Sequence, residues 1–269
     1  MLCVGLTTVD VSQLVVEFPA PGEKVRSLDV HLVPGGPAAN ASRAVAALGH
    51  EAVLVTALGD DLGEFARRRL VGVEVHDAGP GGPAVSMVAV RERDGERTVV
   101  SRNAATFRDT GFDLAPLVAR ADVVLVDGHL PELALEAARR AAVPVVLDAG
   151  SWKPVHGELL PLVDVAACSA SYPLTARGLH ERGVPLVVRT HGAGPVTWST
   201  GTRTGRVPVR PVEARDTNGA GDVWHGALAV AFAEGLAVEE AVARANEVAA
   251  VRVAHTALDW VEEVERWRR

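Results

Sequence analysis

The stretch that decides the fold of this chain is "RDTNGAGDVWHGALAVAFAEG", residues 215–235. Small residues at 219–221 separate Asp216 and Thr217 from Asp222, and a long apolar helical pattern follows at once. Such a segment leaves backbone N–H groups free at the start of a helix, where the helix dipole also attracts anions. We therefore predict that residues 219–221 bind an anionic group, with the Asp222 carboxylate beside it.

An acidic residue at a helix start can simply offset the helix dipole. That role requires neither the Gly-Ala-Gly segment nor the Asp-Thr pair upstream of it. A carboxylate beside an anion-binding segment is what phosphoryl transfer to a hydroxyl requires, because the N–H groups stabilise the phosphoryl charge and the carboxylate accepts the alcohol proton. The chain has no G-x-x-x-x-G-K-[ST] motif, and its only lysines are Lys24 and Lys153. A kinase with this sequence would therefore use no Walker lysine.

A second glycine-containing segment, "VPGGPAANASRAVAALG" (33–49), predicts a turn followed by a helix. Pro37 suits the first helical turn, and Gly49 suits the position just past the end. Asn40 then lies about one turn into the helix, where its amide can face a ligand above the glycine backbone. A plain turn before an amphipathic helix explains this segment equally well. It is not G-x-G-x-x-G, which weighs against a dinucleotide-binding motif.

Short apolar runs alternate with helical patterns along most of the chain, and one helix is predicted over 130–142. Continuous apolar strands separated by helices indicate a parallel sheet covered on both faces. The predicted strands are 2–6, 52–58, 122–128, 143–150, 163–169 and 184–192. We therefore expect an α/β fold in which a single domain spans residues 1–269.

Two segments, about 11–33 and 84–103, depart from this alternation. The second has the pattern of a β-hairpin with a two-residue turn at Asp94-Gly95. Both segments are expected to have a polar face and no covering helix. We predict that they form a small β-sheet lid that projects from the main sheet.

Composition excludes several classes of protein. The net charge of −7 and the absence of a basic cluster argue against a nucleic-acid partner. No apolar run approaches the ~18 residues that a membrane span requires, and "MLCVGLTTVD" lacks a basic leader. Cys3 and Cys168 lie in separate apolar runs without metal-binding or redox spacing. We expect a cytoplasmic protein with buried, reduced cysteines.

The segments "GGPAAN" (35–40) and "DTNGAGD" (216–222) resemble the two signatures of the ribokinase/PfkB family of carbohydrate kinases. The resemblance extends over nearly the whole chain, including Asp10, placed at the end of the first strand, and "GDDLG" (59–63). Within the family, the segments "GGPAA" and "GAGDVWHGALA" resemble those of ketohexokinases and sulfofructose kinases in particular. The resemblance implies a ribokinase-like fold with a mainly parallel central sheet, helices on both faces and a small β-sheet lid.

The family resemblance also implies a reaction and the residues that would carry it out. The γ-phosphoryl group of ATP would pass, with Mg²⁺, to a hydroxyl of a small sugar; the resemblance leaves room for a monovalent cation and implies a homodimer formed through the lid. Asp222 would be the general base, and Gly219, Ala220 and Gly221 the anion hole. Asp10, Gly35, Gly36 and Asn40 would bind the sugar, and Thr190, Gly192, Gly194, Thr217 and Asn246 would line the nucleotide site.

One departure concerns magnesium: Ser169 and Tyr172 replace an Asn-x-x-Glu pair that many relatives carry. A nucleoside kinase on the same fold, or a catalytically silent sugar-binding regulator, remains an alternative. Further residues are interpreted mainly as structural or solvent-exposed rather than as ligands, namely His225, His129, Glu132, Arg97, Arg102, Trp198 and Trp224.

Overall fold

The computed structural model describes residues 1–59, 61–104, 107–108 and 110–269. Within these ranges the strands form two sheets. The larger sheet contains β1 (Leu2–Val4), β4 (Ala52–Thr56), β5 (Val73–Asp77), β8 (Val124–Val126), β9 (Val145–Ala149), β10 (Val165–Cys168), β11 (Leu186–His191), β12 (Gly194–Ser199) and β13 (Thr204–Val207). The smaller sheet contains β2 (Thr8–Val15), β3 (Ser27–Gly35), β6 (Ala84–Arg91) and β7 (Arg97–Ser101).

The helices lie on both faces of the larger sheet. They are α1 (Pro37–Ala47), α2 (Asp61–Arg69), α3 (Ala115–Ala119), α4 (Pro131–Arg140), α5 (His156–Leu159), α6 (Ala176–His180), α7 (Ala220–Ala233), α8 (Val238–Ala254) and α9 (Trp260–Arg268), with a short 3₁₀ helix at Leu160–Leu162. One core cluster joins α1, α7, α8 and α9 to one face. A second joins α3, α4, α5 and α6 to the other.

The order of strands in the larger sheet is β13-β12-β11-β10-β9-β8-β1-β4-β5. All neighbours from β5 to β11 are parallel, and only the β11-β12-β13 end is antiparallel. Each of the six predicted strands is present, in a shorter form. The central strands are buried along their whole length, as expected for a sheet that is covered on both faces. The predicted mainly parallel α/β fold is confirmed.

The smaller sheet, with order β3-β2-β6-β7, is the predicted lid. It begins earlier than predicted, at Thr8, so Asp10 lies inside β2 and not at the end of the first strand. The lid has the expected polar face, but that face is turned inward. Polar side chains of the lid strands (Thr8, Asp10, Ser12 and Ser86) are buried, while Val30, Leu32, Met87 and Val100 are exposed. Helix α2 also contacts β2 and β3, so the lid is partly covered.

The turn between β6 and β7 is longer than the two residues predicted. The Arg91 N–H donates to the Glu96 carbonyl, and the Gly95 N–H donates to the Arg91 carbonyl, each at 2.8 Å. Gly95 has φ +65°, and a Cβ there would lie 2.8 Å from the carbonyl carbon of Arg215. The hairpin tip therefore packs closely against the chain just before the anion-binding segment, which requires glycine at this position.

In the part of the chain that is described, no helix has the length and apolar character needed to cross a bilayer. Asp60, which belongs to the "GDDLG" segment of the resemblance, lies outside the described residues.

Candidate active site

The predicted anion-binding segment leads directly into α7. Gly219 precedes the helix in the left-handed conformation, with φ 71°, and Ala220 is the first helical residue. A Cβ at Gly219 would lie 2.8 Å from Asn40 Nδ2, whereas a Cβ at Gly221 would meet nothing within 4 Å. The Ala220 N–H is less free than predicted, because it donates to the Thr217 carbonyl at 3.3 Å. The surface above Gly221 is open to a ligand.

Asp222 lies in the first turn of α7 and is partly buried. The Asn40 amide, from the first turn of α1, donates to Asp222 Oδ2 at 2.9 Å. Burial and the negative charge of Asp148 raise the pKa of Asp222 to about 6, although the Asn40 hydrogen bond acts in the opposite direction. The structure thus joins the two predicted signature segments through a carboxylate that titrates close to neutral pH.

A buried ion pair lies beneath this carboxylate. His225, one turn after Asp222, places Nδ1 3.0 Å from Asp148 Oδ2, and both side chains are buried. Burial is the largest single effect and opposes both charges, but the attraction and hydrogen bond between the two groups, together with other neighbours, outweigh it, so the pKa of Asp148 is lowered and that of His225 is raised. The sequence favours a structural role for His225, and a buried ion pair with Asp148 is consistent with such a role. Asp148 was not predicted, although its place at the carboxyl end of β9 is where open parallel sheets bind ligands.

Asp10 lies on the inner side of the lid and is buried. Its carboxylate accepts hydrogen bonds from Thr8 Oγ1 at 2.5 Å and from Asn218 Nδ2 at 3.2 Å. Burial raises the pKa of Asp10, while these hydrogen bonds act to lower it. Asn218 immediately precedes the anion-binding segment, so the lid and that segment meet at a single carboxylate. Nothing in the sequence distinguishes Asn218 as a site residue, although it lies within the second signature.

The two glycines before α1 allow close approaches of the backbone. A Cβ at Gly35 would lie 2.3 Å from an Asp10 carboxylate oxygen. Gly36 has φ +94°, and a Cβ there would lie 2.5 Å from the Leu6 carbonyl oxygen. Glycine at both positions lets β3 pass beside Asp10 and places Asn40 next to Asp222.

The predicted nucleotide-site residues lie in three places. Thr190 is near the end of β11, where its Oγ1 donates to the Cys168 carbonyl at 3.4 Å, and Gly192 and Gly194 flank the turn into β12. Asn246 is buried in α8: its Oδ1 accepts from Trp224 Nε1 at 2.8 Å, and its Nδ2 donates to the Pro208 carbonyl at 3.1 Å. Both ends of this amide are bonded within the protein, which gives Asn246 a structural role in the packing of α7 on α8.

Thr217 connects the anion-binding segment to the lid. Its N–H and Oγ1 both donate to the Gly95 carbonyl, at 3.0 and 2.8 Å. Arg97 of β7 places Nη1 3.4 Å from Thr217 Oγ1, and its positive charge acts to lower the pKa of Asp222. Arg97 is exposed, as the sequence favoured, and its guanidinium also lies close to Thr217 and influences Asp222.

The residues that replace the Asn-x-x-Glu pair are bonded elsewhere. Ser169 Oγ donates to the Gly150 carbonyl at 2.7 Å, and the buried Tyr172 hydroxyl lies 2.9 Å from His156 Nδ1. Among the described residues, no group of three or more His, Cys, Asp or Glu side chains could hold a metal ion. These residues do not fit a magnesium site made by the protein alone.

A cavity of about 490 Å³ opens where the lid meets the carboxyl ends of β8 and β9. Arg102, His129, Glu132 and Lys153 contribute to its walls. Lys153 Nζ donates to the Ser151 carbonyl at 3.4 Å. Neither Arg102 nor Lys153 forms an ion pair with any described residue. Both positive charges lie on the cavity wall, and that of Lys153 also acts to lower the pKa of the buried Asp148.

Comparison with known proteins agrees with this geometry. The model of the pfkB family carbohydrate kinases matches residues 1–171 and 174–259. The chain belongs to the PfkB family of carbohydrate kinases. A ribokinase of Bacillus subtilis is 27% identical over 286 aligned residues, which cover 94% of this chain and 92% of that protein. This kinase spans nearly the full length of its relative.

Solved structures support the same fold. A Thermotoga maritima ribokinase superposes with a TM-score of 0.79 at 24% identity, covering 99% of this kinase and 98% of that chain. An Arabidopsis thaliana ribokinase complexed with ribose and ATP superposes with a TM-score of 0.77 at 22% identity, covering 100% and 98%. The ribokinase-like arrangement of a large sheet and a separate lid is therefore confirmed for this kinase.

Proposed function

We propose that this kinase transfers the γ-phosphoryl group of ATP to a hydroxyl of a small sugar, with Asp222 as the general base. The observation that carries the proposal is the position of the Asp222 carboxylate. It lies at the start of α7, beside the open surface over Gly221, and is oriented by the Asn40 amide at 2.9 Å. A proton acceptor and an anion-binding helix start thus share one place.

The base has a pKa suited to its task. A carboxylate with a pKa of about 6 is mostly ionised at neutral pH, yet is a far better proton acceptor than an ordinary aspartate. The sugar hydroxyl would donate its proton to Asp222 as its oxygen attacks the phosphoryl group. The buried Asp148 contributes to this basicity through its negative charge.

Two anionic groups must then approach each other, the Asp222 carboxylate and the phosphoryl group. The N–H groups at 219–221 and the dipole of α7 offset this repulsion. Arg97 adds a positive charge from the lid, since it affects the pKa of Asp222 and lies 3.4 Å from Thr217 Oγ1. Magnesium, when bound to the nucleotide, would neutralise phosphate charge, with the phosphates and water as its main ligands.

The sugar would bind between the lid and the main sheet. Asp10 and Asn40 would accept and donate hydrogen bonds to its hydroxyls, and the neighbouring cavity would hold the rest of the molecule. The cavity lining contains two cationic side chains, Arg102 and Lys153, and one carboxylate, that of Glu132. We therefore expect a sugar that carries an acidic group to be preferred over its neutral counterpart.

We also propose a homodimer formed through the lid. The strand register places Leu32 and Met87 on either side of Val11, and Val100 next to Met87, in one row across the sheet. Leu32, Met87 and Val100 are each about half exposed or more. Contiguous apolar area on a sheet face is typical of a protein interface, and a second copy presents the same row.

The test is ADP release from ATP and Mg²⁺ with a panel of ketoses, aldoses, acidic sugars and nucleosides. We expect turnover on at least one sugar and a higher kcat/KM for the acidic member of a matched pair. Nucleosides as the only substrates would favour the nucleoside-kinase alternative. Sugar binding without any turnover would favour the silent regulator. Asp222→Ala measured in parallel identifies ADP release by contaminating kinases.

A further inference from the structure

Arg252, near the end of α8, is a buried cation directly behind the anion-binding segment. Its Nη2 donates to Asp216 Oδ2 at 2.8 Å. Its Nη1 donates to the main-chain carbonyls of Asp216 and His255, at 3.1 and 3.0 Å. One guanidinium thus satisfies three oxygen atoms that converge on the same place.

This contact is the first in a chain of hydrogen bonds that ends at the sugar-binding carboxylate. Asp216 Oδ1 accepts the N–H of Asn218 at 2.8 Å. The Asn218 side chain in turn donates to Asp10 at 3.2 Å. Asn218 is the residue immediately before Gly219. The orientation of Asp216 therefore affects both the anion-binding segment and Asp10.

The main chain is held at the same point. The N–H groups of Arg215 and Asp216 donate to the Val253 carbonyl, at 2.9 and 3.3 Å. Since Val253 adjoins Arg252, the end of α8 positions the chain that leads into α7. Loss of the guanidinium would leave a buried Asp216 carboxylate without a counter-charge, which is costly in an environment of low dielectric constant.

A carboxylate oxygen and two carbonyl oxygens are the ligands that a hard cation takes in proteins. The family resemblance leaves room for a monovalent cation, and this oxygen cluster beside the anion-binding segment has the ligand types that would suit one. Here the guanidinium already bonds to all three oxygens. An added metal ion does not fit.

The surrounding charges also disfavour an added cation. Arg43 and Arg252 both approach the ring of the buried Trp260, at 4.7 and 5.9 Å. Burial and the positive charge of Arg252 lower the pKa of Arg43 to about 10. Asp216 and Asp10 supply the nearby negative charge, so two cations already balance two carboxylates. A further cation would meet repulsion and little attraction.

We propose that Arg252 is a built-in cation that positions the anion-binding segment, so that this kinase needs no monovalent metal ion. Arg252 contacts neither sugar nor phosphate and acts through Asp216 and Asn218. The catalytic part of this inference rests on the proposed kinase reaction. The salt dependence of folding does not, and it provides a separate measurement.

The first experiment compares the wild-type kinase in K⁺, Na⁺, Cs⁺ and tetramethylammonium chloride at equal ionic strength. We expect kcat and melting temperature to agree within about twofold and about 1 °C, because the guanidinium of Arg252 already bonds to the three oxygens that an ion would need. Stimulation of the wild type by K⁺ of about tenfold or more over tetramethylammonium would overturn the proposal.

The second experiment uses Arg252→Ala, with Arg244→Ala as the matched control. Arg244 lies on the same helix but pairs with Glu234 at the surface. We expect Arg252→Ala to lower kcat by about 10²-fold and raise the sugar KM, because the segment and Asp10 lose their alignment. K⁺ or guanidinium should restore part of kcat and raise the melting temperature by at least about 3 °C. Arg244→Ala should show neither effect.

A folded Arg252→Ala variant with wild-type kinetics, or with no response of kcat and melting temperature to either cation, would contradict the proposal. If the alanine variant does not fold, Arg252→Lys takes its place, since lysine keeps the charge but reaches fewer of the three oxygens. A lowered kcat without salt dependence in the lysine variant supports the proposal. An unchanged kcat refutes it. Should the wild type be inactive on every sugar while the melting response holds, the proposed reaction fails and the cation role stands.

Discussion

Replacing Asp222 by Asn distinguishes a buried general base from a helix cap, because the two roles predict stability changes of opposite sign. The pKa of Asp222 is about 6 in the folded protein against 3.8 for an unperturbed aspartate. The folded state therefore binds this proton more tightly, and the stability that this binding contributes is present below about pH 4 and lost as the pH rises through about 6. Above that range the ionised carboxylate costs about 2–3 kcal/mol, since one pKa unit is about 1.4 kcal/mol.

Asparagine carries no charge and can still accept the Asn40 hydrogen bond. At pH 8 we expect Asp222→Asn to raise the melting temperature by about 4–10 °C, and this gain to disappear near pH 4. A cap whose only role is to offset the helix dipole gives the opposite result, a loss of about 0.3–1 kcal/mol. Glu239→Gln, in the exposed first turn of α8, is the control for that ordinary effect.

The same substitution should lower turnover while it raises stability. Without a basic lone pair at position 222, kcat should fall by at least about 10²-fold, while ATP and sugar still bind. The wild-type kcat/KM should decline as the pH falls through about 6, because Asp222 becomes protonated. Melting curves from pH 4 to pH 8, ligand titrations and initial rates test these statements. A folded Asn variant with normal turnover, or one that is less stable at pH 8, would refute the reasoning.

Three further outcomes are expected. Asn40→Ala should raise the sugar KM with little change in ATP affinity, and an equal loss of ATP affinity would count against a role in sugar binding. The same variant should move the acid limb of the pH profile to higher pH, because Asp222 loses a hydrogen bond that lowers its pKa. Tyr172→Phe should lower stability by about 1–2 kcal/mol through loss of the His156 contact, and leave the magnesium dependence of kcat unchanged. Met87→Glu in the exposed row of the lid should convert a dimer into a monomer by light scattering; a monomeric wild type at micromolar concentration would rule out the lid dimer.

Some features follow from the sequence because local rules determine them. Apolar runs of four to seven residues between helical patterns predict buried parallel strands, and the Gly-Ala-Gly segment before an apolar helix predicts an anion-binding helix start. Asp222 and Asn40 are predicted in the same way, each from its own segment. The family resemblance added the reaction class, which the two segments separately do not specify.

The tertiary structure decided everything that depends on contacts between distant segments. Asn40 and Asp222 are 182 positions apart, and only the packing of α1 against α7 places them 2.9 Å from each other. Strand alternation predicts that the two faces of the lid differ but not which one meets the protein, so only the structure shows that the polar face is the buried one. Arg252 had no distinctive sequence pattern. Its role arises because burial beside Asp216 makes an otherwise ordinary arginine the counter-charge of a loop 36 positions away.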